Sequence, residues 1–257
     1  MSYCTIMMVT YNRIELTKKM LSSLWHSTDY PFNLVIVDNG STDGTVEFLK
    51  ETFNELLIHD KWPFGNCASM PHIHLNEKNM GIAIGRNLAL KLANEKFNTE
   101  WLCTVDNDVE MPQGWLKEAI SIMQVNAAFG AIGVNMEDSP YPIIDLNGKA
   151  FQEKPQGNLG TACMVFNKKL HKLLGYFNTE YGPYGEEDAD FGMRVRVLGY
   201  KMGYIKEMGN HFGSGENDQG EYREFKDACH AKNLAKFKEN CRLYYSKIKS
   251  YYIPFRA

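Results

Sequence analysis

The sequence predicts an α/β fold: a mostly parallel sheet flanked by helices, with a helical segment at its C-terminal end. Three observations predict it. First, Ile6-Met7-Met8-Val9, Leu34-Val35-Ile36-Val37 and the weaker Trp101-Leu102-Cys103-Thr104-Val105 are short unbroken apolar runs, which suit strands covered on both faces. Second, helical patterns separate them, and that succession builds βαβ units and a doubly wound sheet. Third, a polar cluster follows each run, where open α/β sheets place their ligand crevice.

The elements follow in order. Ile14 to Trp25 sets Leu16, Met20, Leu21 and Leu24 at helical spacing; Thr45 to Phe53 does so with Val46, Leu49 and Phe53, and Ile82 to Leu92 with Ile84, Leu88 and Leu92. Pro71 to Leu75 supplies a further strand. The second half predicts a helix over Trp115 to Val125, a strand over Phe129 to Val134, a loop or hairpin over Tyr141 to Asn158 and a strand over Leu159 to Phe166. Lys168 to Leu174 reads as a helix stopped by Gly175. A Gly/Pro/Tyr loop spans Tyr181 to Gly185. Asp188 to Leu198 is a helix with Phe191, Val195 and Leu198 inward, and Lys201 to Ile205 starts a late strand. Asn210 to Gly220 is expected to be a flexible loop. From Glu221 a helical pattern carries Phe225, Ala228, Leu234, Phe237 and Cys241 inward. Residues 1–220 are read as one domain, with halves at 1–110 and 111–220, and residues 221–257 as a basic helical extension.

A chain of 257 residues, 44% apolar and 23% charged, can bury about three quarters of its unfolded surface in one core. Disordered, collagen-like and coiled-coil chains are excluded. With 28 basic against 31 acidic residues the net charge is −3, so no global basic field points to nucleic acid. Six cysteines without a C-x-x-C pair read as reduced, mostly buried thiols. No apolar run approaches a membrane span, and no leader pattern opens the chain; the expected location is the cytoplasm.

Five groups of residues can carry chemistry. Asp106-Asn107-Asp108 sets two carboxylates two residues apart at a strand end, where they can share a hard divalent cation or simply form an Asp-rich turn. Asp38 ends another strand and can accept from a base N–H or a ribose hydroxyl, with Ser41 and Asp43 taken as the local caps. Arg86 follows the Asn79-Met80-Gly81 turn and can hold a phosphate or carboxylate, or form a surface ion pair. Glu186-Glu187-Asp188-Ala189-Asp190 suits a helix macrodipole, but four acids in five residues exceed what capping needs, and one can serve as a general base. His211 can complete a metal site with the Asp106–Asp108 pair; alone, it would read as a structural histidine.

The order of these pieces resembles the family-2 glycosyltransferases, which share the GT-A fold, a Rossmann-like mostly parallel sheet flanked by helices. The matching pieces are Thr10-Tyr11-Asn12-Arg13, Val37-Asp38-Asn39-Gly40-Ser41-Thr42-Asp43-Gly44-Thr45, Asn79-Met80-Gly81 with Arg86-Asn87, Val105-Asp106-Asn107-Asp108-Val109, and Glu187-Asp188-Ala189-Asp190-Phe191 followed by Arg194 and Gly199-Tyr200. They run through residues 3 to 212. The resemblance implies an enzyme that moves a sugar from a nucleotide diphosphate, UDP favoured, to an acceptor hydroxyl in glycan biosynthesis. On it, Thr10, Tyr11, Asn12, Arg13, Asp38, Asn39, Asn79, Gly81, Arg86, Asp106 and Asn107 surround the nucleotide sugar. Asp106, Asp108 and His211 hold Mn²⁺ or Mg²⁺, and Asp188 is the base of an inverting reaction.

Two departures stand out. Asp38-Asn39 replaces the two acids of many relatives, and residues 54 to 70, with His59, Trp62, Pro63 and Phe64, look like an insertion. Glu187 and Asp190 rival Asp188 as the base. A retaining GT-A transferase and a non-catalytic sugar-nucleotide-binding protein are the alternatives. A nucleotidyltransferase is set aside because no Gly-rich loop follows the first strand, and a dehydrogenase because no G-x-G-x-x-G does. From residue 227 onward seven basic residues face two acidic ones, with Tyr244, Tyr245, Tyr251 and Tyr252 interleaved. Such a tail suits peripheral contact with an anionic membrane bearing a lipid-linked acceptor; a helix packed on the domain with its lysines in water is preferred.

Overall fold

A computed structural model of the chain describes residues 3–58, 66–136, 141–213 and 220–256. The first half alternates as the apolar runs demand: β1 (Cys4–Thr10), α1 (Ile14–Ser27), β2 (Phe32–Asp38), α2 (Thr45–Ile58), β3 (His72–Leu75), α3 (Ile82–Lys96) and β4 (Trp101–Asp106). Then come β5 (Val109–Glu110), α4 (Trp115–Val125), β6 (Phe129–Asn135), β7 (Ile143–Leu146), β8 (Lys149–Lys154), β9 (Cys163–Asn167), α5 (Lys168–Leu174), α6 (Glu187–Val197), β10 (Lys201–Met208), β11 (Asn210–His211) and α7 (Glu221–Tyr245). His59, Trp62, Pro63 and Phe64 of the expected insertion lie outside the described residues.

One nine-stranded sheet has the order β3-β2-β1-β4-β9-β6-β10-β8-β7. It is mixed and mostly parallel: β8 and β9 run against the other strands. Every residue of β1 and β2 is buried, which is why those runs are apolar without alternation. Ile6 and Met8 face one layer of the core, with Met20, Leu24, Leu49, Trp115 and Ile120. Met7 and Val9 face the other, with Leu90, Leu170, Phe191 and Val195. Cys4, Cys67, Cys103 and Cys163 are buried free thiols. No helix among the described residues is long and apolar enough to cross a membrane.

Register places the site. Thr10 pairs with Asp38, and Val9 with both Val37 and Asp106. The ends of β1, β2 and β4 therefore stop within one residue of each other.

Three expectations are corrected. The strand read from Leu159 begins at Cys163; Leu159 to Ala162 instead forms cleft wall. The loop read from Asn210 opens with β11, which pairs antiparallel with β5 as Asn210↔Glu110 and His211↔Val109. Asn210 Nδ2 donates to Glu110 Oε2 (2.8 Å), and Phe212 N to the Asp108 carbonyl (2.8 Å), so side chain and backbone together bring this segment to the β4 end. In α7, Phe225 and Leu234 are 42% and 44% exposed, while Asn233, Asn240 and Tyr244 are buried. This helix docks mainly through polar bonds, so apolar periodicity finds its inner face only in part: of the residues expected inward, Phe237 and Cys241 are half-buried and Phe225, Ala228 and Leu234 are exposed.

A candidate donor and catalytic cleft

The end of β1 is tied to its neighbours before it meets any ligand. Asn107 Nδ2 donates to Thr10 Oγ1 (3.0 Å) and Thr17 Oγ1 (2.9 Å). Asn12 and Arg13 take left-handed backbone conformations at φ 55° and 62°. The Asn12 N–H donates to Ser41 Oγ (2.7 Å), and its Oδ1 accepts from Thr42 N (2.8 Å). Asn39 is a clamp: its Nδ2 donates to Asn79 Oδ1 (2.9 Å) and the Gly81 carbonyl (3.2 Å), and its Oδ1 accepts from Asn76 Nδ2 and Met80 N.

Asp38 is not the free carboxylate expected. Fully buried, it accepts from Gly40 N (3.1 Å), Ser41 N (2.9 Å) and the Ser41 hydroxyl. It is itself the cap of its turn, as an aspartate at a strand end readily becomes. Asp43 does cap, accepting from Ile14 N and Thr45 N. Asp38 and the equally buried Thr10 thus stand behind the cleft wall, and Asn12 and Gly81 brace it.

The cleft, about 520 Å³, is lined by Tyr11, Arg13, Asn39, Asn79, Arg86, Asp106, Asn107, Asp108, Glu187, Asp188 and His211 among the residues singled out from sequence. Arg13 Nη1 donates to Asp108 Oδ2 at 2.8 Å, and His211 Nε2 lies 3.2 Å from Asp108 Oδ1. Burial alone would raise Asp108, but the hydrogen bond and charge of His211, with the charges of Arg13 and Lys226, hold it below the usual carboxylate range. His211 is half-buried, which alone would lower it, yet Asp108 and Asp106 raise it. Ligand atoms of Asp106, Asp108 and His211 lie within 4.8 Å of one another. Two carboxylates and an imidazole are donors that suit Mn²⁺ and also accept Mg²⁺.

Arg86 is a buried bridge rather than a surface ion pair. Its Nη2 donates to Asp106 Oδ1 (2.8 Å) and its Nη1 to Glu187 Oε1 (2.6 Å). It thereby joins the end of β4 to the start of α6.

The acidic run sorts itself by partner. Burial and neighbouring Asp188 push Glu187 up to about 7 against the pull of Arg86. Asp190 is fully buried and accepts from Tyr181 Oη (2.9 Å), Tyr244 Oη (2.9 Å) and Arg194 Nε (2.7 Å). Asp188 remains on the cleft wall, with Oδ1 held by the Ala189 N–H at 2.6 Å. Gly81 (φ 87°) fixes how closely this region approaches α3: a Cβ there would sit 2.8 Å from Pro183 Cα, and Ile82 N donates to the Pro183 carbonyl.

The sequence reading missed the contribution of α7. Phe225, Lys226 and His230 line the same cleft. Asn233 Nδ2 donates to the carbonyls of Tyr181 (2.6 Å) and Tyr184 (3.1 Å), and Asn240 Nδ2 to Tyr181 Oη (2.7 Å). Lys226, His230, Asn233, Phe237, Asn240 and Tyr244 alternate by four and three, one helix face. That face is mostly polar, so no apolar period marked it in the sequence.

Comparison with known proteins places this geometry. The model for Glycosyl transferase family 2 matches residues 5–172. The chain belongs to this family. Among relatives of this glycosyltransferase is the N-acetylglucosaminyl-diphospho-decaprenol L-rhamnosyltransferase of Mycobacterium tuberculosis, 22% identical over 236 residues, covering 78% of this chain and 72% of the relative. Among solved structures, the mannosyltransferase PcManGT of Pyrobaculum calidifontis, in complex with GDP-Man and Mn²⁺, superposes with a TM-score of 0.62 at 19% identity, covering 94% of this chain and 68% of that one. TarS residues 1–349 of S. aureus, in complex with UDP, gives 0.60 at 20% identity, covering 93% and 72%. The fold of the family-2 enzyme is therefore GT-A.

Proposed function

We propose that this glycosyltransferase takes its sugar from a nucleoside diphosphate sugar, UDP-linked by preference, and inverts the anomeric centre with Asp188 as base. The observation that carries the reading is the meeting of Asp106, Asp108 and His211 in one cleft with Asp188. Asp106, Asp108 and His211 would hold Mn²⁺ or Mg²⁺; their oxygen and imidazole donors fit either. When bound, the ion supplies charge neutralisation for the departing diphosphate.

The remaining work belongs to the chain. Tyr11, Arg13, Asn39, Asn79 and Asn107 face the nucleotide side, while Thr10, Asn12, Asp38 and Gly81 keep that wall in shape. Asp188 accepts the proton of the acceptor hydroxyl as its oxygen bonds to the anomeric carbon, and the bond to the diphosphate breaks on the opposite face. Both rivals are engaged, Glu187 on the same cleft wall by Arg86 and Asp190 behind it by tyrosine hydroxyls and Arg194, which favours a single base and inversion. Residues 1–110 form the donor half, 111–220 the acceptor half, and 221–257 close the cleft from the side. A glycan or lipid-linked sugar is the proposed acceptor, the latter by analogy with the mycobacterial relative's name.

A thermal-shift panel of UDP, GDP, dTDP and ADP, each with and without Mn²⁺, tests the reading. A ligand at 100 times its Kd adds about 2.7 kcal/mol of stability. One nucleotide that stabilises the protein only with Mn²⁺ is the expected result. No shift with any nucleotide would overturn the assignment of the donor site.

A further inference from the structure

We propose that Glu186 and His230 are positioning residues for the transfer, the bond between their side chains holding the turn that presents Asp188 to the cleft. This rests on Asp188 being the general base.

Glu186 suits its place poorly by local rules. It is the N-cap of α6, yet its side chain makes no capping bond; the short side chains of Ser, Thr, Asp and Asn are the ones that reach the first free amides of a helix. Its backbone is left-handed at φ 70°, directly after Gly185 at φ 91°. A Cβ crowds the backbone in that region, and glycine enters it without the penalty. A glutamate here breaks two local preferences together. Such breaks persist where a long-range contact overrides local structure, and they gather at functional sites.

The long-range contact comes from α7. Glu186 Oε1 lies 3.0 Å from His230 Nδ1, and the glutamate side chain is only 12% exposed. A carboxylate oxygen accepts, so Nδ1–H donates, and it can do so whether or not the ring is charged. The imidazole also packs on the turn itself. A Cβ on Gly185 would lie 3.3 Å from Nδ1, and the ring meets Tyr184 edge to face at 5.5 Å between centroids. One side chain of α7 therefore braces residues 184, 185 and 186, and Asp188 follows two positions later.

The rest of this run is anchored by other partners. The Tyr184 carbonyl accepts from Asn233, Glu187 is held by Arg86, and Asp190 by Tyr181, Tyr244 and Arg194. Those anchors are buried. His230 differs from them: it is half-exposed and itself lines the cleft. Without its bond Glu186 is free to leave the left-handed region, which turns the first residues of α6 and the Asp188 carboxylate with them. A misplacement of about 1 Å at a reacting group can cost on the order of 10²-fold in rate. The pair therefore acts on rate and leaves donor affinity nearly untouched.

Donor hydrolysis, with water in place of the acceptor hydroxyl, gives a rate that needs no identified acceptor. The test measures it with UDP-GlcNAc and GDP-mannose in Mn²⁺ for wild type, His230→Ala, Glu186→Ala and Glu186→Gln, with Asp188→Asn as reference. UDP and GDP affinity, Tm and amide exchange are read on the same proteins. His230→Ala and Glu186→Ala should each slow hydrolysis at saturating donor by about tenfold or more. Diphosphate affinity should stay within about twofold, and exchange should quicken at residues 187–190 but not in β1, β2 or β4. Glu186→Gln, whose amide oxygen still accepts from Nδ1–H, should keep most of the wild-type rate. Wild-type rates in His230→Ala and Glu186→Ala would overturn the proposal, whatever the exchange shows. So would a slower rate accompanied by a lowered Tm and faster exchange throughout the sheet, the mark of a purely structural pair. If wild type hydrolyses neither donor, exchange decides: quickening confined to 187–190 in His230→Ala supports the proposal, and unchanged exchange overturns it. Hydrolysis by Asp188→Asn at the wild-type rate would instead overturn the base reading and this proposal with it.

Discussion

Arg86 and Glu187 form a 2.6 Å ion pair between α3 and α6, and both side chains are almost out of solvent. The second arm of Arg86 reaches Asp106, so one guanidinium sets the spacing between the proposed metal ligands and the proposed base. Truncating one partner of a buried pair leaves the other charge poorly compensated, at a cost of about 3 kcal/mol or more. Glu187→Ala should therefore unfold at lower urea, by roughly that amount at pH 8. An unchanged urea midpoint would show that the pair contributes nothing to stability.

The buried carboxylate of Asp190 gathers Tyr181, Tyr244 and Arg194, and Tyr244 belongs to α7. Removing one hydroxyl from this cluster forfeits a hydrogen bond to a charged group, worth about 1.5 to 3 kcal/mol. Tyr244→Phe should lower global stability by that amount and speed amide exchange in α7 before the central strands. Exchange that accelerates evenly through the sheet would contradict a local role.

How much of this was legible in sequence depends on what each residue is bonded to. The apolar runs of β1, β2 and β4 were legible because burial on both faces leaves no alternation to confuse. The carboxylates at strand ends were legible for the same geometric reason. Asp38 was misread because an aspartate that caps its own turn looks identical in sequence to one that faces a ligand; only the bonds from Gly40 and Ser41 separate them. The α7 contribution was hidden because its docking stripe is Asn233, Asn240 and Tyr244, and polar contacts over long sequence separations have no local signature. The β11–β5 ladder was hidden because two residues cannot show a period.

His171 offers a pH dependence with a defined sign. It is buried on α5, its Nδ1 is 2.9 Å from the Gly175 carbonyl, and burial, helped by the charge of Lys168, lowers its pKa below the ordinary 6.5. The folded state then binds fewer protons than the unfolded state just below neutrality. Its contribution is present above pH 6.5 and is lost as pH falls through the depressed folded value. Relative to wild type, His171→Gln should lose less stability between pH 7 and pH 5 in urea titrations. Parallel pH profiles for the two proteins would remove His171 as a source of acid sensitivity.

Asp188→Asn separates chemistry from binding. Asp188 lines the cleft and makes no ion pair among the described contacts of its helix start, so the amide should fold as wild type does. General-base catalysis is typically worth 10² to 10⁴ in rate, and transfer should fall by about that range while nucleoside diphosphate affinity with Mn²⁺ stays within about twofold. Full transfer activity in a well-folded Asp188→Asn protein would show that another group takes the proton.

Gly213 shows how tightly the metal-side wall is built. A Cβ placed there would collide with the Asp108 carboxylate and would lie 2.5 Å from Arg13 Nη1. Gly213 follows the short ladder that brings His211 beside Asp108, so the backbone approach and the His211–Asp108 contact come from the same segment. Gly213→Ala must either push this segment outward, taking His211 with it, or turn Asp108 away from Arg13. Either movement dismantles the arrangement of Asp106, Asp108 and His211 while leaving both core layers untouched. The expected outcome is a loss of at least about tenfold in Mn²⁺-dependent nucleotide affinity with a Tm within a few degrees of wild type. Retention of metal-dependent affinity in Gly213→Ala would show that the site does not depend on His211 standing where this segment now places it.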